Sequence, residues 1–151
     1  RYRIYSPPKN LPGAGVFTMK SKDDDYLISA AKGALKNAYA PYSRFRVGAA
    51  LKTAAGKIFT GCNVENASYG LTICAERNAI FKMISQGETG IEMIVVAVEG
   101  NDPAAPCGAC RQVINEFSTD DCRIVCVSDD SEKEYRMSEL LPHSFNKWHL
   151  R

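Results

Sequence analysis

Leu27, Ile28, Ala31, Ala34, Leu35 and Ala38 recur at spacings of three and four, the period of a helix that buries one face. Asp23, Asp24 and Asp25 supply capping oxygens and negative charge at its N-terminal end, and Pro41 closes it. The pattern then changes. V-G-A-A-L-K-T, the short turn A-A-G and K-I-F-T-G-C predict a β-hairpin that turns near Gly56. A second helix is predicted over 74–85, with Ala79, Ile80, Met83 and Ile84 on one face and Gly87 placed to end it. Residues 91–98 form a nearly continuous apolar run, as in a strand covered on both faces. A Pro-rich loop leads to a third helix over 107–117, with Val113, Ile114 and Phe117 on its buried stripe. A strand over 123–127 and a short helix over 138–141, stopped by Pro142, complete the series.

Strands alternating with helices predict an α/β domain with at least a partly parallel sheet. Residues 1–18 carry no such period and hold Pro7, Pro8, Pro12, Gly13 and Gly15. They read as a flexible N-terminal arm or an expression remnant, with Met19 in the place of a natural start. Residues 19–151 are expected to form one catalytic domain, since no internal repeat or domain-sized linker divides them.

Composition narrows the class. The chain has 151 residues, 45% hydrophobic and 24% charged, which is ordinary for a globular domain. A net charge of +2, with both signs intermixed, lacks the basic stripe of a nucleic-acid binder. The longest apolar run is far too short to span a membrane. No apolar signal segment opens the chain, so a cytoplasmic protein is expected.

The six cysteines sharpen the picture. Cys62, Cys122 and Cys126 lie in or beside apolar strands and are expected to pack as small hydrophobes. Cys107 and Cys110, in P-C-G-A-C, are three apart at a helix start, so both face one side. Cys74, in C-A-E-R, opens the other helix. A helix N-terminus stabilises thiolate through its dipole and free N–H groups. Three thiolates converging from two helix starts suit zinc, and three protein ligands leave the open fourth position of a catalytic site. Water held there has its pKa lowered to about 7. Glu76 is the natural proton carrier, although residues two apart on a helix point to different sides, so periodicity alone does not settle it. Arg77 is placed to donate hydrogen bonds to the sulfurs and offset their charge. From these residues alone, a thioredoxin-like C-x-x-C redox site and a structural zinc module remain open alternatives.

The motifs A-P-Y-S-R-F-R-V-G-A-A-L, G-C-N-V-E-N-A-S-Y-G, C-A-E-R-N-A-I-F, P-C-G-A-C-R-Q-V and E-L-L-P occur in that order. In them the chain resembles the cytidine deaminases, in particular the small homotetrameric class with three zinc cysteines. The likeness covers essentially everything after Met19. It implies a three-layer α/β/α sandwich around a mixed, partly parallel sheet of about five strands. It implies one Zn2+ per subunit on Cys74, Cys107 and Cys110, and hydrolytic removal of the 4-amino group of cytidine or deoxycytidine with Glu76 moving the protons. It further implies that Asn63 and Glu65 grip the ribose hydroxyls, that Phe45 lies against the pyrimidine, and that Ala75 offers backbone groups to the pyrimidine edge. Tyr69 would stand near the substrate at a subunit junction, and Phe145 would enter a neighbouring subunit's site. His143, Trp148 and His149 receive no role. A cytosine-bearing antibiotic is the alternative substrate, and the N-V-E segment favours a nucleoside over it. The expected partners are a small nucleoside and three further copies of the chain, with neither nucleic acid nor membrane.

Overall fold

The structure, a computed structural model, describes residues 21–150. The arm expected over residues 1–18 lies outside the described residues.

The first helix, α1 (Lys22–Leu35), buries Leu27, Ala31 and Leu35, the stripe that the spacing predicts. Its N-cap is Ser21, whose hydroxyl accepts from Asp24 N at 3.2 Å. The three aspartates lie in the first turn, where they favour the helix dipole. Regular helix stops at Leu35 with Lys36 as C-cap, well before Pro41. A hairpin follows, β1 (Val47–Thr53) and β2 (Ile58–Cys62), with Gly56 at a φ of +81° in the turn. A one-turn 3-10 helix at Tyr69–Leu71 precedes α2 (Ala75–Ser85). Then come β3 (Ile91–Val98), α3 (Gly108–Glu116), β4 (Ser118–Val127), β5 (Glu132–Arg136) and α4 (Met137–Leu140).

The sheet runs in the order β2-β1-β3-β4-β5. Only β3 and β4 pair in parallel, joined through α3, and the other three pairings are antiparallel. The mixed five-stranded sheet therefore carries helices on both faces. On one face Leu27, Ala31 and Leu35 pack against Ala50, Met93, Val95, Ala97, Val125 and Val127. On the other, Ala75, Ala79, Ile80, Met83, Ile114, Met137 and Leu140 pack against Ala49, Leu51, Ile94, Ile124 and Cys126. Alternate β3 residues thus serve opposite cores, which explains why that strand reads as one apolar run. Burying a side chain such as Leu27, Ile80 or Ile94 contributes about 1.5–3 kcal/mol each.

Two glycines set the layer spacing. A Cβ on Gly48 would stand 2.1 Å from Ala31 O of α1, and one on Gly61 would stand 2.5 Å from Ala79 N and 2.6 Å from Ala75 O of α2. Both helices therefore touch strand backbone directly. A charged clamp fixes the start of α1. Arg123 of β4 donates to both Asp24 oxygens (2.8 and 3.1 Å) and to both Glu134 oxygens (2.8 and 3.1 Å). The sequence pattern did not predict β5, because E-K-E-Y-R alternates charge without an apolar face. As an edge strand, β5 supplies Glu134 to that clamp and leaves charge along the rim.

Two expectations about helix faces and cysteines need correction. Ile84 does not join the buried face of α2, because it is 37% exposed while Ala79, Ile80 and Met83 are wholly buried. Cys122 and Cys126 pack as small hydrophobes, but Cys62 at the end of β2 is only half-buried, and its thiol donates to Asn37 O at 3.4 Å.

Candidate active site

The starts of α2 and α3 lie side by side on one face of the sheet. Cys74 is the N-cap of α2 and Cys107 the N-cap of α3, both in extended backbone, and neither side chain caps its own helix. Their sulfurs are thus free to project beyond the helix ends. Cys110 follows in the first turn of α3 and is fully buried. An antiparallel bridge between Val64 and Ile73, with N–O distances of 2.9 and 3.0 Å, holds the chain entering Cys74.

The three sulfurs lie within 4.8 Å of one another, and Cys74 Sγ and Cys107 Sγ are 3.8 Å apart. A tetrahedral centre with metal–sulfur bonds of about 2.3 Å requires sulfurs separated by about 3.8 Å. The donor set therefore fits zinc in chemistry and spacing. Among the described residues this is the sole such cluster of His, Cys, Asp or Glu.

The local charge is arranged around that triad. Contact with the Cys110 thiol pulls the Cys74 thiol down to about 5, and Arg77 adds to the effect. The same contact, together with burial, pushes the Cys110 thiol strongly upward. Arg77 Nη2 donates to Cys74 Sγ at 3.5 Å and to Thr72 O at 3.4 Å. It thus stands as a cation against the Cys74 sulfur.

Glu76 lies in the first turn of α2 and is only 4% exposed. Burial is the main cause that raises its carboxyl above the ordinary range, with the charge on Cys74 adding to it. A buried carboxyl with raised pKa beside a metal-binding triad is a candidate proton carrier.

The expected substrate-contacting residues fall into three groups. Ala75 is fully buried at the start of α2, where its backbone borders the triad. Asn63, Glu65, Phe45 and Tyr69 gather in the loops beside it. Asn63 is buried, accepting from Val47 N at 2.9 Å and donating to Phe45 O at 2.8 Å. Glu65 accepts from Tyr42 N (2.8 Å), Ser43 N (3.2 Å) and the Ser43 hydroxyl. Tyr69 is exposed and leans on Tyr42, ring centroids 5.9 Å apart. Tyr42, Ser43, Glu65, Tyr69 and Thr72 line an open cavity of about 320 Å³. Thr72 joins this cavity to the triad, because its carbonyl takes the same guanidinium that reaches Cys74. Phe145 stands apart in the C-terminal segment, 59% exposed and stacked on His149 at 5.3 Å. Gln112 of α3 donates to its carbonyl at 2.8 Å. A larger cavity of about 510 Å³ under that segment includes neither a cysteine nor Glu76. Sequence reasoning assigned nothing to Tyr42, Ser43 or Thr72. Ser43 stood inside the quoted A-P-Y-S-R-F motif, but no periodicity marks a hydroxyl that bonds a carboxylate 22 residues away.

Comparison with known proteins agrees with this geometry. Residues 21–126 match the cytidine and deoxycytidylate deaminase zinc-binding region. The chain belongs to that family. A probable cytidine deaminase of Dictyostelium discoideum is 48% identical over 85% of this chain and 88% of its own length. The cytidine deaminase of Halalkalibacterium halodurans is 46% identical over 82% and 94%. The crystal structure of cytidine deaminase from Burkholderia pseudomallei superimposes with a TM-score of 0.77 at 48% identity, covering 80% of this chain and 98% of that one. The mixed sheet with helices on both faces is thus the fold of a zinc-dependent hydrolytic deaminase, and Cys74, Cys107 and Cys110 are positioned to hold the zinc.

Proposed function

We propose that this deaminase replaces the 4-amino group of cytidine and deoxycytidine with oxygen from water, releasing uridine or deoxyuridine and ammonia. The observation that carries the reading is a buried carboxyl, Glu76, set on the same helix start as Cys74 and facing a three-sulfur metal site in a chain close in sequence to named cytidine deaminases.

Cys74, Cys107 and Cys110 would hold the zinc, which would supply Lewis acidity toward the attacking water. Glu76, kept protonatable by burial, takes the two protons of the attacking water in turn, giving one to the ring nitrogen and the other to the amine as it departs, and holds the reacting oxygen by hydrogen bonds. Arg77 lowers the cost of gathering three thiolates by donating to Cys74. The N–H and C=O groups around Ala75 meet the polar edge of the pyrimidine, and Phe45 covers its face.

Hydrogen-bond capacity supports the sugar assignment. Asn63 Nδ2 uses one hydrogen on Phe45 O and keeps a second, while Glu65 Oε1 accepts one bond and retains another acceptor site. A free donor and a free acceptor together satisfy one hydroxyl. That accommodates cytidine and deoxycytidine alike.

A homotetramer completes the reading. Tyr39, Tyr42, Phe45, Val64, Tyr69 and Leu71 are each between 45% and 76% exposed. Tyr39 pairs with Val64 and Tyr42 touches Tyr69, so these residues form continuous apolar surface of the kind that marks association. Phe145 belongs to a neighbouring subunit's site in this arrangement. Residues 19–151 act as one catalytic domain. Six unpaired cysteines, three of them at the metal site, favour the reducing cytoplasm.

The test is ammonia release from cytidine by the zinc-loaded protein beside its Glu76→Ala variant. Turnover should fall by at least ~10³-fold with zinc content and melting temperature retained, within the range of lost acid–base catalysis. A silent, zinc-loaded, assembled parent would sink the nucleoside reading and send the search to cytosine-bearing antibiotics.

A further inference from the structure

One hydroxyl in the loop before β1 touches both halves of the substrate pocket. Ser43 Oγ donates to Glu65 Oε1 and accepts from Phe45 N at 2.9 Å. The Ser43 backbone N–H donates to the other oxygen of the same carboxylate at 3.2 Å. Between Ser43 and Phe45, Arg44 adopts a φ of +59°, a left-handed conformation rarely held by a residue with a side chain. That reversal folds Phe45 N back over the serine hydroxyl. Glu65, Ser43 and Tyr42 line the open cavity, and Phe45 lies two residues beyond Ser43 in the chain.

We infer that Ser43 is a positioning residue that locks the sugar-gripping carboxylate of Glu65 and the base-covering ring of Phe45 into one rigid unit. The inference rests on the nucleoside reading above and extends it to a residue that touches neither the metal nor the reacting atoms. The hydroxyl is the pivot because it uses its single proton on Glu65 and a lone pair on Phe45 N. With Tyr42 N and Ser43 N on Oε2, the hydroxyl on Oε1 fixes the carboxylate plane and leaves one acceptor site on a side chain that lines the cavity. The same bond is the first cause of the lowered Glu65 pKa, so the carboxylate stays charged and accepting. Alanine at this position removes the donor on Oε1 and the acceptor for Phe45 N, leaving the carboxylate held only through Oε2. The damage falls on substrate orientation, while Cys74, Glu76, Cys107 and Cys110 sit on α2 and α3, outside these contacts.

The experiment compares cytidine with 2′,3′-dideoxycytidine, which presents neither ribose hydroxyl to Glu65. In Ser43→Ala the preference for cytidine, as a ratio of kcat/KM values, should shrink about tenfold, the scale of one lost hydrogen bond to a charged group. The loss should appear in KM more than in kcat, and zinc per chain should stay at the parent level. Ser43→Thr keeps the hydroxyl and should restore the ratio. Because Ser43 acts through Glu65, the double variant Ser43→Ala/Glu65→Gln should show the same ratio as Glu65→Gln alone. An active parent whose Ser43→Ala variant keeps the full ratio overturns the positioning role alone. So do effects of the two substitutions that multiply. A zinc-loaded parent that releases no ammonia from cytidine overturns the nucleoside reading and the positioning role with it.

Discussion

Helices α1 and α2 each begin at a small side chain in extended backbone, Ser21 in one and Cys74 in the other, and the two starts are used differently. Ser21 turns inward along its helix and accepts from Asp24 N, and the first turn behind it is clamped to the sheet by Arg123. Cys74 makes no such cap, and neither does Cys107 at the start of α3. A helix start that keeps its cap gains about 1 kcal/mol. One that gives up the cap can point a thiol, and the positive end of a helix dipole, at a shared metal. The two faces of one sheet thus differ in use. Both faces carry a packed core, and the α2–α3 face carries the three-sulfur cluster besides.

The sharpest way to break this contrast is Cys107→Ala. It should abolish bound zinc and turnover together, as metal analysis alongside the ammonia assay would show. Full zinc occupancy in that protein would refute the ligand set. On the opposite face, Arg123→Met should cost about 3 kcal/mol of unfolding free energy, because Asp24 is left buried without its cation. Zinc per chain and KM should stay at parent values, so urea unfolding and kinetics together test whether the faces are independent.

Acid should expose the same clamp. Asp24 has its carboxyl held below the ordinary 3.8, chiefly by the hydrogen bond from Arg123. A depressed folded pKa gives stability that is complete above the unfolded value and fades as pH falls through the folded one. The stability advantage of the parent over Asp24→Asn should therefore be constant from about pH 6 to 5 and shrink below about pH 4. An advantage that persists unchanged at about pH 2 would mean the clamp is not ionic. Smallest of all, Ser21→Ala should lower stability by about 1 kcal/mol and leave zinc binding unaffected.

The sequence announced the chemical face more clearly than the structural one. Cys74, Cys107 and Cys110 were legible because metal ligation demands particular atoms at particular spacings. β3 was legible because both cores draw on one apolar run. The clamp was not, because Asp24 and Arg123 are 99 residues apart, and an aspartate in a first helical turn already has a local explanation. Its partner strand β5 hid for the same reason, since an edge rich in charge carries no hydrophobic period. Ser21 and Ser43 were missed because a hydroxyl takes its meaning from a neighbour that folding brings to it.

Gly61 places a limit on the machinery built above it. The backbone of β2 meets the backbone of α2 at Ala75 and Ala79 with no side chain between them, so the helix that carries Cys74 and Glu76 is seated on the sheet like a part on a machined face. Inserting even one methyl group there would act as a shim under the first turn, tilting Glu76 relative to the sulfurs of α3. The tolerance of the active site is therefore set by an atom that the chain leaves out.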